Sequence, residues 1–261
     1  MSFSNEIYGD VGDEKVASSV KILPLGTLMI LPDGREFCYA RNASSATLIA
    51  GVVVGGQAET AGHGNVSGSA LTVSATTTEN LAGTREVYLI NRSVAVVKDE
   101  FADGFLNVNG PAGSSAYGGR LYAIEGNASA AVSTRFKVTL KKGDALVADM
   151  KPATTLCSLR KSKFGSCVVW AAGQPIIGAT PAAVSASWYF WAQRVGEASM
   201  WQSATVVTDG APVMADTAVA GSVTVASSAA ASTNIWTTQV IGVARGAAAA
   251  SVAVIVDLNI K

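Results

Sequence analysis

Short runs rich in Val, Ile, Thr, Tyr and Trp recur along the chain between Gly, Asn, Asp and Ser punctuation, while helical periodicity is almost absent. That pattern predicts an all-β fold: a sandwich or barrel-like modules of short strands. The clearest element is a hairpin, with apolar runs at 26–31 and 36–40 flanking Pro32-Asp33-Gly34-Arg35. Proline presets φ there, and Asp and Gly accept a tight backbone. Further strands are predicted at 48–54, 70–74, 86–90, 93–97 and 136–140, with a middle block at 98–108 and a run at 120–127 before the last of these, and then at 168–170 and 176–178. An aromatic run at 188–191 follows, and the last strands are predicted at 204–208, 221–225, 239–244 and 251–258. Residues 1–22 are polar and have little to bury, so they are expected to form an extended arm that orders on a partner. Residues 23–150 and 151–261 are then expected to be two successive β-rich regions. One short echo, Gln174-Pro175-Ile176-Ile177-Gly178-Ala179 against Gln239-Val240-Ile241-Gly242-Val243-Ala244, hints at a duplicated packing unit but is too short to define a repeat.

Composition narrows the functions open to such a chain. The 261 residues carry 19 Lys+Arg against 19 Asp+Glu, so the formal charge is zero. A nucleic-acid partner is not expected, because phosphate contacts need a basic footprint. Only 15% of residues are charged, which leaves much of the surface suited to contact with other chains. Mean hydropathy is positive at +0.33, yet no run approaches the roughly 20 apolar residues of a spanning helix, and no membrane partner is expected. The first residues lack the basic start and apolar core of a signal peptide, so synthesis and retention in a cytoplasm are expected. Cys38, Cys157 and Cys167 form neither a paired framework nor a metal knuckle, and read as reduced, partly buried thiols.

A search for chemistry yields no enzyme constellation. His63 is the only histidine and sits in a Gly-flanked loop without a nucleophile at motif spacing. Asp99, Glu100 and Asp103 could offer oxygens to Ca²⁺, but their spacing is not that of an EF-hand loop, and a turn rim is the simpler reading. The Gly-rich stretches at 55–68 and 110–119 lack the ending of a phosphate loop. Arg160-Lys161-Ser162-Lys163 reads as a solvated basic turn. No cofactor or metal is expected. In the run Trp188-Tyr189-Phe190-Trp191, alternation sends Trp188 and Phe190 one way and Tyr189 and Trp191 the other. One pair fills the core; the other needs a cover, from this chain or from a neighbouring subunit.

Taken over most of its length, the chain resembles the capsid decoration, or cement, proteins of tailed bacteriophages. The resemblance rests on Ile7-Tyr8-Gly9-Asp10-Val11-Gly12-Asp13, on Leu23-Pro24-Leu25-Gly26-Thr27 with Pro32-Asp33-Gly34-Arg35-Glu36-Phe37, and on Lys98-Asp99-Glu100-Phe101-Ala102-Asp103-Gly104-Phe105-Leu106. It extends through Trp188-Tyr189-Phe190-Trp191-Ala192-Gln193-Arg194-Val195-Gly196 to the ending Val240-Ile241-Gly242-Val243-Ala244 and Val254-Ile255-Val256-Asp257-Leu258-Asn259. It implies a β-rich, non-enzymatic homotrimer on the outer capsid surface of the virion, bound to the major capsid protein. Ile7, Tyr8, Asp10 and Val11 are then expected to touch the shell, and Trp188, Tyr189, Phe190 and Trp191 to lie at a subunit interface. The alternative is another virion component, such as a head or tail fibre module binding host glycans. The Ala/Ser/Thr stretch at 226–233 departs from the pattern.

Overall fold

The structure is a computed structural model that describes residues 5–56, 71–73, 79–90, 94–109, 119–150, 155–203, 207–226, 239–249 and 252–260. His63, nearly all of both Gly-rich stretches, the predicted strand start at 204–206 and residues 227–233 lie outside them. The described residues are all-β: seventeen strands and one three-residue 3-10 turn, Asp13–Lys15.

The strands are β1 (Glu6–Tyr8), β2 (Leu28–Ile30), β3 (Glu36–Arg41), β4 (Val53–Gly56), β5 (Leu71–Val73), β6 (Glu86–Ile90), β7 (Phe105–Asn109), β8 (Arg120–Asn127) and β9 (Arg135–Leu140). They continue with β10 (Leu156–Arg160), β11 (Cys167–Val169), β12 (Ile176–Ala179), β13 (Tyr189–Trp201), β14 (Pro212–Ala215), β15 (Val223–Val225), β16 (Val240–Ala244) and β17 (Ala253–Asn259). The expected hairpin is β2–β3, closed by Gly34 at φ 83° and by Leu31 N–H donating to the Arg35 carbonyl at 3.0 Å. Three strands had no sequence signal, namely β1, β10 and β14. Among the described residues of the run expected at 93–97 there is no strand, and Val96 makes only an isolated bridge to Ala130.

The chain does not divide in series at 150/151. It forms one unit from residues 1–57 and 163–261, and a second, inserted unit from 58–162. A linear scan misses this because β4 finds its partner β11 only after the whole insertion. The inserted unit is a closed six-stranded barrel, β10-β5-β6-β9-β8-β7. Val87, Leu89, Phe101, Leu106, Ile124, Val138 and Leu140 fill it, all fully buried.

The larger unit contains a structural duplication. In the first repeat, β4 pairs with β11 and β12, β12 with β13, and β13 with β3. In the second, β14 pairs with β15 and β16, β16 with β17, and β17 with β13. The isolated bridges also correspond: Asn42–Cys167 with Gln202–Val223, both parallel, and Leu48–Val184 with Val207–Ala248, both antiparallel. Registers agree residue by residue. Gly178 faces Val54 as Gly242 faces Val213, and in each repeat a buried isoleucine, Ile177 or Ile241, is the extra residue of a β-bulge. The turns agree as well, since Gly51 and Gly210 both have positive φ and donate to the Thr180 and Ala244 carbonyls at 2.7 and 3.0 Å. In the barrel, Asp103 at φ 59° makes the same bond to Ile124 at 3.1 Å, and β6, β7, β8 and β9 repeat the core of the pairing scheme.

The two cores follow the same plan. Cys38, Ala40, Leu48, Val54, Cys167, Ile177, Val184, Phe190 and Ala192 occupy the first, where Ala198, Met200, Val207, Val213, Val223, Ile241, Ala248, Val254 and Val256 occupy the second. The thirteen-residue β13 serves both, pairing with β3 from Tyr189 to Val195 and with β17 from Val195 to Trp201. Between these halves it carries a bulge at 193–195 and a positive φ of 86° at Gly196. The buried Gln193 amide donates to the carbonyls of Val195, Gly196 and Glu197 at 3.3, 3.3 and 2.9 Å, which braces the bend from within the same strand.

Gly178 and Gly242 allow the close approach that each bulge needs, because a methyl group on either would strike the backbone carbonyl of Gln193 or Asp257. Replacing a strand glycine by alanine at a compatible site stabilises by about 0.4–1 kcal/mol. Here the sign reverses: Gly178→Ala and Gly242→Ala are each expected to destabilise by about 1–3 kcal/mol through overpacking. Urea unfolding of the two variants measures this, with matching losses expected because the two sites are equivalent.

Candidate functional site

The sequence-selected residues fall into two groups that the structure treats differently. The N-terminal segment is tied down by its own chain. β1 pairs in parallel with β2, Leu28 N–H donates to the Asn5 carbonyl at 2.8 Å, and Ser18 exchanges two backbone bonds with Tyr189 at 2.9 and 2.8 Å. Glu14, only 2% exposed, accepts from Gly12 N–H at 2.6 Å and faces the Arg35 guanidinium at 3.4 Å. The expected free arm is therefore a docked layer, because Ile7 finds apolar cover on Met29, Leu31, Phe37, Tyr39 and Trp191. Ile7 is thus engaged within the chain. Tyr8 and Val11 remain 80% and 70% exposed, and Asp10 is also exposed.

The aromatic run is largely core. Phe190 is buried in the first repeat, while Trp191 is buried beneath the N-terminal layer. Tyr39 stacks on Tyr189 with ring centroids 5.7 Å apart and meets Trp191 at 5.0 Å, and the Arg41 guanidinium lies 5.5 Å from the Tyr189 ring. Both faces of the run are covered from within the chain, so Phe190 and Trp191 are not free for a subunit interface. Tyr189 is half-buried, and only Trp188, which precedes β13, is appreciably exposed at 39%.

Sequence reasoning missed a larger feature, the outward face of the second repeat. Trp201, Val240, Val243 and Ile255 are all exposed there, between 44% and 52%. The strict alternation of β17, exposed at Ala253, Ile255 and Asn259 and buried at Val254, Val256 and Leu258, was the available signal. Beside this face lies a groove of about 220 Å³ whose lining includes Glu14, Lys15, Ser199, Trp201 and Ala253. A broader, open depression of about 840 Å³ includes Arg194, Val240, Val243 and Asp257.

The remaining candidates have local explanations. Glu100 pairs with Lys161 at 2.7 Å, Asp103 with Lys141 at 3.0 Å, and Asp99 accepts from Asn127 N–H at 3.3 Å. These carboxylates brace separate turns, and among the described residues no group of three His, Cys, Asp or Glu could hold a metal. Arg160 ends β10, and Lys163 lies 5.0 Å from the Phe164 ring, so the basic cluster is spread over strand and turn. In the β2–β3 turn, Arg35 N–H and the Arg35 guanidinium hold the Asp33 carboxyl below the usual range. Among the described residues, no helix is long and apolar enough to cross a membrane.

These features define an all-β protein built from a duplicated module and an inserted barrel, with apolar surface on its N-terminal layer and second repeat. No family model matches the chain, and no curated protein or solved structure matches it.

The three thiols are fully or almost fully buried, and none is in a disulfide. Burial pushes Cys38 and Cys157 up to about 12, and Cys167 is raised as well. A thiol-disulfide reagent at mildly alkaline pH is expected to label no cysteine in the folded chain and all three after denaturation, as read by absorbance or mass.

Proposed function

We propose that the chain is a capsid decoration protein of a tailed bacteriophage, a non-enzymatic subunit that binds the outer surface of the head and stabilises the shell. Its partners are the major capsid protein and copies of itself, as a homotrimer, and it acts on the virion after synthesis in the host cytoplasm. The observation that carries this reading is the pair of uncovered apolar surfaces: Tyr8 and Val11 on the N-terminal layer, and Trp201, Val243 and Ile255 on the second repeat. Contiguous exposed apolar surface marks protein contact. A balanced charge gives no grip on packaged DNA and leaves apolar and backbone contacts as the source of adhesion. Spread over a symmetric shell, such contacts add by multivalency, so each interface needs only modest strength. The sequence resemblance described above points the same way.

Purified chain added to phage heads that lack it is expected to co-sediment saturably and to raise the temperature at which heated heads release DNA. Absence of binding, or recovery of the chain only in tails, would overturn the reading. Specific hits on a glycan array in place of head binding would favour a fibre module instead.

A further inference from the structure

The duplication allows one face of the molecule to be compared with itself. In the first repeat, the outward side of β3 and β13 presents Phe37, Tyr39, Tyr189 and Trp191, and the N-terminal layer covers it with Ile7, Leu23, Leu25, Met29 and Leu31. The equivalent positions in the second repeat are Glu197, Ser199, Ala253 and Ile255. None of these four is buried. The first repeat has a second cover too, since its outward Val53 and Ala179 pack into the core of the second repeat. Their equivalents, Pro212 and Val243, are exposed. Among the described residues, the second repeat therefore lacks both layers that close the first, and its apolar residues stand open where those layers would lie.

The chain's own N-terminal layer is already committed to the first repeat, and the groove beside Glu14 and Lys15 marks where that cover stops. The outward side of the layer is itself apolar and unpartnered, with Tyr8, Val11, Val16, Val20 and Ile22 between 63% and 80% exposed. Every copy thus carries two different open apolar surfaces, one on the type of segment that this fold already uses as a cover.

We propose that these two surfaces meet between copies: the second repeat of one chain seats on the outward side of the N-terminal layer of another. That layer then lies between the first repeat of its own chain and the second repeat of a neighbour. The contact is head-to-tail, so it closes into a ring or runs on as a filament according to its rotation. It assigns Tyr8 and Val11 to a contact with a second copy. The proposal rests on the self-association in the proposed function and is tested on the purified chain alone, so its failure is distinguishable from a failure to bind heads.

Complementation tests it. Sedimentation velocity of the wild-type chain is expected to show an oligomer, whereas Ile255→Glu and the double variant Tyr8→Glu/Val11→Glu each sediment as monomers. All three positions are about half exposed or more, so unchanged thermal unfolding verifies that the variants fold. Mixed together, the two variants retain one intact surface of each kind and are expected to form a one-to-one heterodimer and nothing larger. A monomeric wild-type chain would overturn the proposal. So would a mixture that stays monomeric, or a Tyr8→Glu/Val11→Glu variant that still dimerises, as a face-to-face contact between two second repeats requires. Unchanged oligomers in either variant would overturn it equally.

Discussion

The bend of β13 between Gln193 and Gly196 is the constraint on which the larger unit depends. This one thirteen-residue strand sends Phe190 and Ala192 into the core of the first repeat and Ala198 and Met200 into that of the second, and it must change its principal partner from β3 to β17 between them. The bulge shifts the register of β13 against β3, and Gly196 takes a positive φ where the pairing passes from β3 to β17. The Gln193 carboxamide braces this bend by donating to the carbonyls of Val195, Gly196 and Glu197. One strand can then be the last of the first repeat and the first of the second, so the two cores are joined by covalent continuity and shared hydrogen bonds.

The sequence made the local part of this legible. Pro32-Asp33-Gly34 announces its hairpin because proline and glycine impose a turn whatever lies elsewhere in the chain. Strands such as Glu86–Ile90 and Arg135–Leu140 are readable because one face is wet and one is buried. Other elements carry no such mark. Leu156–Arg160 lacks aromatic and β-branched residues, and Pro212–Ala215 opens on a proline that argues against a strand. The echo at Ile177-Gly178 and Ile241-Gly242 was visible only as a fragment. A bulge needs a glycine beside its extra residue, whereas the surrounding core needs only apolar volume, so Phe190 and Val254 can occupy equivalent places.

Partner surfaces were harder to read for a related reason. Aromatic density at 188–191 suggested an interface, yet bulky rings are also what a small module uses to fill its core, and the N-terminal layer that covers them comes from far away in sequence. The residues left open, Val243 and Ile255, belong to ordinary alternating strands. They gain meaning only by comparison with the covered positions of the first repeat. The same comparison ties architecture to function: a duplicated module with one copy closed and one open is suited to assembly with other chains.

If β13 unites the repeats, they should share one opening transition. Native-state hydrogen exchange followed by mass spectrometry, on wild type and Gln193→Leu, tests this most directly. The account predicts that amides of β3 and the first half of β13 exchange with the same opening free energy as those of β17 and the second half. It also predicts that the substitution lowers protection in both sets together. Loss of protection confined to one repeat, or a second repeat that opens independently in the wild type, would contradict it.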